Sequence, residues 1–490
     1  MDMPETDDVI LLKGCYLEAY RSDDIALKLE GLRIALNEPS NSYLADTVKE
    51  IASVARRLRE LADIAQVNRD CLAYVLDPLN IVLPCLSKSL RDIKTHYDRC
   101  SLSKENRWRN MYHCMKDEVN GLSLPDRFKI YYEYATLLRN FLRRLTFHLY
   151  VWRRWLKSVL TTYSEPPLQN TRLKASSVEY SVYEKSEELA RHVYFKQVRL
   201  FFIQDIPHID WTRLITHWAE HIFSSPWPRT PMKNTAQTIS LGPHHELGHY
   251  DIPMYSKVLL RQSFDGDKVS LTVFLNSQDD CAYLLLRMFK DEKPWFSLRG
   301  VHELCIKRCG NSLRFRRWSM NANNSKIWAK LCFNAWEDIV LMYCTFVSLK
   351  ARNLRTLQCG PKELALGKEK ELFQSDIFDD SFHHSLMVYQ DDATGGLRLH
   401  AAVLDGELRQ CPVWTAFVTE QARCTNWIRR SASRRKVWLS DIRLFVFCKN
   451  YREHNQRKGP TGEFQINFVN DREAERFENL CYVLRTSRLK

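Results

Sequence analysis

The chain has 490 residues, of which 45% are hydrophobic and 12% are aromatic. A chain of this length exceeds one ordinary hydrophobic core, so we expect two to four domains, and the composition argues against a disordered chain. The formal net charge of +13 favours encounters with anionic partners such as phosphoinositide membranes, nucleic acid or acidic proteins.

The first residues and the cysteines indicate an intracellular protein. The acidic start, Met1 to Asp8, differs from the basic start of a signal peptide or a transit peptide. Fifteen scattered cysteines, mostly in apolar runs, suit a reducing compartment. The longest apolar stretch, Leu137 to Leu160, contains six arginines and lysines, which a membrane span tolerates poorly. We therefore expect a cytoplasmic protein without a transmembrane segment, with the nucleus and the membrane periphery as alternative locations.

Helical spacing of apolar residues runs from about residue 9 to residue 163 and predicts an all-α bundle of five to seven helices over 1–165. Helix breaks are predicted at Pro39, Pro78 and Pro84, and a helix start is predicted at Ser123 to Asp126. A helical or irregular connector is predicted over 166–250. The bundle should therefore form a domain of its own.

After Pro253 the hydrophobic period changes from helical to alternating. Val269 to Leu275 alternates apolar with polar residues, and Lys257 to Ser263 precedes it across a short acidic turn, which predicts a β-hairpin. Further short strands follow. A helix is then predicted from Asn334, because Glu337 completes a capping-box pattern.

The same order recurs about 130 residues later. Ser385 to Asp391 and an alternating strand from Leu397 flank a glycine turn, more strands follow, and a second capping-box pattern begins at Asn470. A duplicated module is the simplest explanation.

Each strand series closes with one amphipathic helix that has a large aromatic residue, and this order resembles the pleckstrin-homology (PH) fold. Trp336 matches the tryptophan of the family's helix, and Phe477 stands at that place in the second module. The resemblance implies a multi-domain α+β chain, with an N-terminal all-α helical bundle followed by two PH-like antiparallel β modules, each closed by a C-terminal helix. The predicted ranges are 250–352 for the first module, 353–371 for a linker and 372–490 for the second module.

The whole chain is also similar to a family of filamentous-fungal proteins with a helical N-terminal region and two PH-like modules. Arg107 to His113 and Val413 to Val418 are segments of that kind. This resemblance implies no particular activity.

Phosphoinositide-binding PH domains resemble one another in a lysine on the first strand and an Arg-x-Arg at the start of the second, which hold phosphate groups. The first module offers Lys257, Arg261 and Lys268, beside an acidic turn. The second module offers Asp391 and Asp392 without a nearby lysine. Both therefore depart from the lipid-binding pattern.

The strongest charge feature of the sequence lies between residues 429 and 458, where ten basic residues face two acidic ones. Such a segment predicts an anion-binding patch, and ordinary solvated loop tips are the alternative interpretation. The candidate residues are Arg429, Arg430, Arg434, Arg435, Lys436, Arg452, Arg457 and Lys458.

Two histidine motifs have the spacing of zinc ligands. His245 to His249 spells H-E-x-x-H, although prolines at 243 and 253 leave little room for the helix that this motif needs. His217 to His221 spells H-x-x-E-H in better helical context, but lacks a third ligand. The candidate metal ligands are therefore His217, His221, His245 and His249, with solvated surface histidines as the alternative.

The sequence contains no phosphate-binding loop, dinucleotide fingerprint or nucleophile elbow. We therefore predict a non-enzymatic interaction or adaptor protein, without a cofactor, that binds protein partners through its PH-like modules and the basic patch. The alternatives are a peripheral binder of anionic phosphoinositide membrane, a nucleic-acid binder and a zinc-dependent hydrolase.

Overall fold

The structure is a computed structural model that describes most of the chain. The described residues are 7–39, 42–117, 122–162, 217–224, 226–233, 236–250, 252–276, 278–317, 326–356, 359–430, 435–458 and 461–488. They divide into two compact units, one drawn from the described residues within 7–16, 60–76 and 217–488 and the other from those within 17–59 and 77–162. Within these ranges, no helix is both long enough and apolar enough for a membrane span.

Five long helices occupy the N-terminal region, as the helical spacing predicts. They are α1 (Asp7–Ala35), α2 (Tyr43–Val67), α3 (Ala73–Tyr97), α4 (Lys104–Asp117) and α5 (Leu124–Thr162). The predicted breaks at Pro78 and Pro84 are wrong, because both prolines lie inside α3. A proline within a helix costs about 3 kcal/mol, and burial of neighbours such as Leu79 and Leu86 offsets that cost.

The first module consists of two antiparallel sheets, with the strand orders β2-β6-β5-β4-β3 and β1-β9-β8-β7. β1 and β2 lie inside the range predicted as a connector. The helix Trp336–Ala351, here called the first closing helix, follows β9. The strands are β1 (Ile239–Ser240), β2 (His245–Glu246), β3 (Lys257–Phe264), β4 (Val269–Leu275), β5 (Ala282–Lys290), β6 (Lys293–Gly300), β7 (Leu304–Cys309), β8 (Ser312–Arg317) and β9 (Ile327–Cys332).

The second module is one continuous antiparallel sheet with the strand order β14-β15-β18-β10-β11-β12-β13-β16, and β17 also pairs with β18. The helix Asp471–Arg488, here called the second closing helix, ends the described chain. Its strands are β10 (Glu369–Asp379), β11 (Phe382–Asp391), β12 (Leu397–Val403), β13 (Pro412–Phe417), β14 (Ile428–Arg430), β15 (Lys436–Leu439), β16 (Phe445–Val446), β17 (Arg457–Lys458) and β18 (Glu463–Phe468).

Each closing helix packs an aromatic core against its own strands. In the first module, Phe346 contacts Phe315 with ring centroids 5.2 Å apart. In the second, Phe477 contacts Phe373 and Phe468, each at 5.5 Å. This helical bundle followed by two helix-closed antiparallel modules is the fold class that the sequence predicts.

The two helix starts differ in how they are capped. Asn470 caps the second closing helix, because its Oδ1 accepts a hydrogen bond from the Glu473 amide at 2.9 Å. The predicted cap at Asn334 is wrong, since Ala335 occupies the cap position without a side-chain bond. Glu337 instead accepts hydrogen bonds from the Thr230 amide at 2.8 Å and the Thr230 hydroxyl at 2.6 Å.

The two modules share a buried contact. Arg308 of β7 and Asp391 of β11 form an ion pair of 2.6 Å, and neither side chain is exposed. The Trp336 ring packs edge-on against Phe417 of β13 at 5.3 Å. Buried charges and aromatic packing therefore join the modules within one unit.

Candidate anion-binding site

The cations on the first strand of the first module already have carboxylate partners within the chain. Arg261 of β3 binds Asp63 of α2 at 2.7 Å and Asp267 at 2.6 Å, and the Arg261 side chain is only 6% exposed. Lys257 binds Glu220 at 2.6 Å and is 5% exposed. Two of the three cations that the first module offers at the place of the lipid-binding pattern, Lys257 and Arg261, are therefore buried in internal ion pairs.

Alternation along the strands explains how Arg261 and Arg287 meet Asp63. Leu271 of β4 and Leu286 of β5 point into the core of the first module. Their neighbours Ser270 and Arg287, which are opposite each other in the strand register, point to the outer face of the same sheet. That face is covered, because Ser270 and Arg287 are each only 1% exposed.

Asp63 is saturated with hydrogen-bond donors. Its Oδ1 accepts from the Tyr16 hydroxyl at 2.7 Å and from Arg287 Nε at 2.8 Å, and its Oδ2 accepts from Arg261 Nε at 2.7 Å and the Ser270 hydroxyl at 2.8 Å. Burial alone would raise the pKa of Asp63, but the two guanidinium groups outweigh burial and hold the pKa at about 2. The Asp63 carboxylate thus has the environment of a bound anion.

The Tyr16 ring completes this covered face. It packs against Phe289 and Phe296 with centroid separations of 5.8 and 6.4 Å. Burial and the Asp63 carboxylate raise the pKa of the Tyr16 hydroxyl, so the hydroxyl remains a donor. The start of α1 and the end of α2 are therefore built into the first module's unit.

The corresponding hairpin of the second module is acidic and internally bonded. Asp379 accepts hydrogen bonds from the Trp414 indole at 2.7 Å and the Tyr451 hydroxyl at 3.1 Å. Asp380 accepts from the Arg452 amide at 2.6 Å and from the Asn455 amide group at 2.5 Å. Burial raises the pKa of Asp379 to about 6. This turn presents carboxylates to its own chain and offers no phosphate cradle.

The predicted basic patch is largely paired with acids. Three of those acids, Glu463, Asp471 and Glu478, follow residue 458 in the chain, so a charge count over 429–458 omits them. The pairs are Arg429 with Glu463 at 2.8 Å, Arg430 with Glu478 at 3.5 Å, Arg435 with Asp471 at 3.2 Å and Arg457 with Glu453 at 2.6 Å.

The other members of the patch are Lys436, Arg452 and Lys458, with Arg434 outside the described residues. All three are exposed, and Lys436 and Lys458 lie on strands that flank β18. Arg429 and Arg435 are also exposed, by 65% and 64%, so the open cationic surface of the patch combines these paired arginines with Lys436, Arg452 and Lys458.

The motif at His245 lacks the helix that a zincin site requires. His245 and Glu246 form β2, which pairs with β6. The His245 and His249 rings stack 3.9 Å apart at an interplanar angle of 4°. Nitrogen lone pairs lie in the ring plane, so two parallel stacked rings cannot direct their lone pairs at one metal ion.

The second histidine motif is also bonded within the chain. His217 Nδ1 accepts from the Ala219 amide at 3.2 Å, and Glu220 binds Lys257. The adjoining helix, Ala219–Ile222, spans a single turn among the described residues. Nowhere in the described ranges do three or more histidine, cysteine or acidic side chains assemble a metal site.

In each module a series of antiparallel strands is followed by one closing helix, which is the arrangement of a PH domain. Residues 249–368 and residues 370–486 each match a family model described as a PH domain found in tandem in fungal proteins. The chain therefore carries the tandem PH domains of this fungal family. Comparisons with curated proteins and with solved structures found no match.

Proposed function

We propose that the chain is a non-enzymatic adaptor that binds protein partners through its second PH domain. PH domains bind proteins or phosphoinositide lipids, so the choice depends on the groups that each domain exposes. The observation that carries the proposal is the burial of Arg261 and Arg287 in ion pairs with Asp63 and Asp267, because cations buried in this way are unavailable to a lipid phosphate. Removing one partner of such a buried pair costs about 3–5 kcal/mol.

The second PH domain exposes apolar side chains where β10 turns into β11. We call Phe378, Phe382 and Val469 the hairpin patch, and their exposed fractions are 45%, 56% and 45%. The Phe378 ring contacts the His383 ring at 5.2 Å. Exposed aromatic residues with a polar surround are typical anchors of protein interfaces.

Polar groups border the hairpin patch. Phe378 is opposite Asn467 in the register of β10 and β18, and Asn467 is opposite Lys436 of β15. The patch and the exposed lysine are thus two strands apart on one sheet, about 10 Å. A partner with an apolar centre and an acidic margin matches this arrangement.

Photo-crosslinking tests this proposal directly. A benzophenone amino acid replaces Phe382 in the full chain, and a matched control replaces Leu137, an equally exposed residue of α5 (51%). We expect discrete protein adducts from position 382 that disappear when Phe378→Asp is added. Adducts of the same identity from position 137, or none from position 382, would contradict the proposal.

Membrane binding is the second candidate, supported by Lys436, Arg452 and Lys458, which are exposed. The test is sedimentation with phosphatidylcholine vesicles, with and without phosphatidylinositol 4,5-bisphosphate. The adaptor proposal predicts equal, weak binding to both. Membrane binding would be favoured instead if vesicle binding requires the phosphoinositide, falls with salt and is lost when all three residues become alanine. Arg423→Ala is the control and should have no effect on that binding.

A further inference from the structure

Helix α1 carries a stripe of exposed apolar residues with heptad spacing. Successive members are 7, 3, 7 and 7 positions apart, the spacing of a and d positions in a coiled coil. A monomeric surface rarely exposes so regular an apolar stripe without use. The members and their exposed fractions are Ile10 (52%), Leu17 (44%), Tyr20 (41%), Leu27 (74%) and Ile34 (62%).

The opposite face of α1 is packed, which fixes the direction of the stripe. Ala19, Ser22 and Leu29 on that face are completely buried. On the stripe side, a Cβ added to Gly31 would meet nothing within 4 Å. The stripe spans about 36 Å of helix at 1.5 Å per residue, which is long enough to seat a second helix.

We propose that this stripe joins two copies of the chain through antiparallel packing of their α1 helices. An antiparallel pair centred between Tyr20 and Asp24 places every stripe residue against a compatible residue of the other copy. Ile10 meets Ile34, and Leu17 meets Leu27. Tyr20 then lies beside Asp24, whose carboxylate binds Lys28 of its own helix. Lys13 faces Gly31, which leaves room for the lysine stem.

The polar positions of the seam decide between antiparallel and parallel packing. In a parallel pair, Lys13 would face Lys13, and Asp24, which binds Lys28 of its own helix at 2.7 Å, would face Asp24, so like-charged groups would meet in the seam. The antiparallel pair contains neither contact. Beside the seam, Arg21 is neutralised by Glu18 at 2.5 Å and Asp23 by Arg59 within each copy.

Sedimentation velocity of the full chain over a dilution series tests the proposal. The expected wild-type species has twice the chain mass of 57.9 kDa. Leu17→Glu alone and Leu27→Lys alone should each weaken the dimer about 100-fold, as expected for a charge placed against a central leucine. The double variant Leu17→Glu/Leu27→Lys should restore the dimer, because each glutamate then meets a lysine of the other copy.

The controls test whether any loss of the dimer comes from the stripe itself or from misfolding or a change elsewhere on the surface. Leu137→Lys changes an exposed leucine of α5 and should leave the dimer intact, and circular dichroism should show every variant folded. A wild-type monomer throughout the series, a dimer indifferent to Leu27→Lys, or dissociation by Leu137→Lys would each overturn the proposal. A double variant that stays monomeric would overturn the antiparallel geometry.

Discussion

The two closing helices have the same place in their PH domains but very different surroundings. Every residue of the first closing helix from Trp336 to Lys350 is buried. The second closing helix keeps an open face, with Tyr482 and Val483 exposed by 58% and 57%. One helix is therefore interior on all sides, and the other is amphipathic.

The difference arises from what lies behind each helix. The first closing helix packs Phe346 on its own strands and Trp336 on Phe417 of the second PH domain. Phe477 of the second closing helix contacts only residues of its own domain among the ring contacts described. The first closing helix is thus shared core, so the first PH domain depends on the second for its stability.

Removing the aromatic residue from each helix should separate these roles. Trp336→Ala and Phe477→Ala should each cost about 3–5 kcal/mol of unfolding free energy, because both rings are fully buried. Hydrogen exchange measured by mass spectrometry should show faster exchange in both domains for Trp336→Ala, and in the second domain alone for Phe477→Ala. Unchanged exchange in the second domain of Trp336→Ala would disprove the shared core.

The ion pair between the domains should behave as a single buried unit. Asp391→Ala leaves the Arg308 guanidinium buried without its partner, so we expect a loss of about 3–5 kcal/mol in urea unfolding. Glu420→Ala removes an exposed partner of Arg423 and serves as the control, with no measurable change expected. Equal effects of the two substitutions would contradict the assignment.

The buried first turn of the first closing helix predicts a pH dependence. Burial raises the pKa of Asp338 from 3.8 to about 6. The folded state then binds a proton more tightly than the unfolded state, so stability is fully present below about pH 4 and falls as pH rises through 6. Asp338→Asn should therefore match the wild type at pH 4 and exceed it by up to about 3 kcal/mol at pH 7. Parallel pH profiles of the two proteins would refute this.

A smaller steric test concerns the surface that Trp336 meets. A Cβ at Gly396 would lie 2.5 Å from the Trp336 ring, so Gly396→Ala should cost about 1–3 kcal/mol. Gly360→Ala is the matched control, because its Cβ would meet nothing within 4 Å. A lower unfolding temperature for Gly360→Ala than for Gly396→Ala would contradict close packing between Gly396 and Trp336.

The helix caps give the smallest expected difference. Asn470→Ala removes the cap of the second closing helix and should cost about 1 kcal/mol. Asn334→Ala should cost less, because Ala335 and not Asn334 occupies the cap position of the first closing helix. Urea unfolding that reverses this order would restore the capping role predicted for Asn334 from its sequence pattern.

Local sequence patterns predicted most of the fold, because strands and helices impose their own periods. The predicted hairpin at 257–275 corresponds to β3 and β4, and both closing helices were predicted within two residues of their starts. The pattern missed β6, in which Pro294 and the adjacent Trp295 and Phe296 break the alternation, and β10, in which five of eleven residues are charged. Because β10 was missed, the predicted duplication matched the hairpin β3–β4 of the first domain with β11–β12 of the second. The strand order instead makes β10–β11 the corresponding hairpin, since β4 is the second long strand of its domain and β12 is the third.

Partners distant in the chain could not be predicted from local patterns. Asp63 and Arg261 are 198 positions apart in the chain. Judged from the sequence of α2 alone, Asp63 is an ordinary polar residue of an amphipathic helix. Three of the four acids that pair with the basic patch lie beyond the window in which its charge was counted. A search for acidic residues flanked by apolar residues within predicted helices would have found Asp63, which lies between the buried residues Ala62 and Ile64.

The network around Asp63 also limits which gene segments can encode a stable first PH domain after recombination. A gene segment that encodes only residues from 249 onward would lack Tyr16, Asp63 and Glu220. Its product would uncover the face of the sheet that those segments cover and would leave Lys257, Arg261 and Arg287 without most of their counter-charge, and such a product is expected to be degraded. The first PH domain should therefore move between genes only together with the distant helical segments that neutralise it.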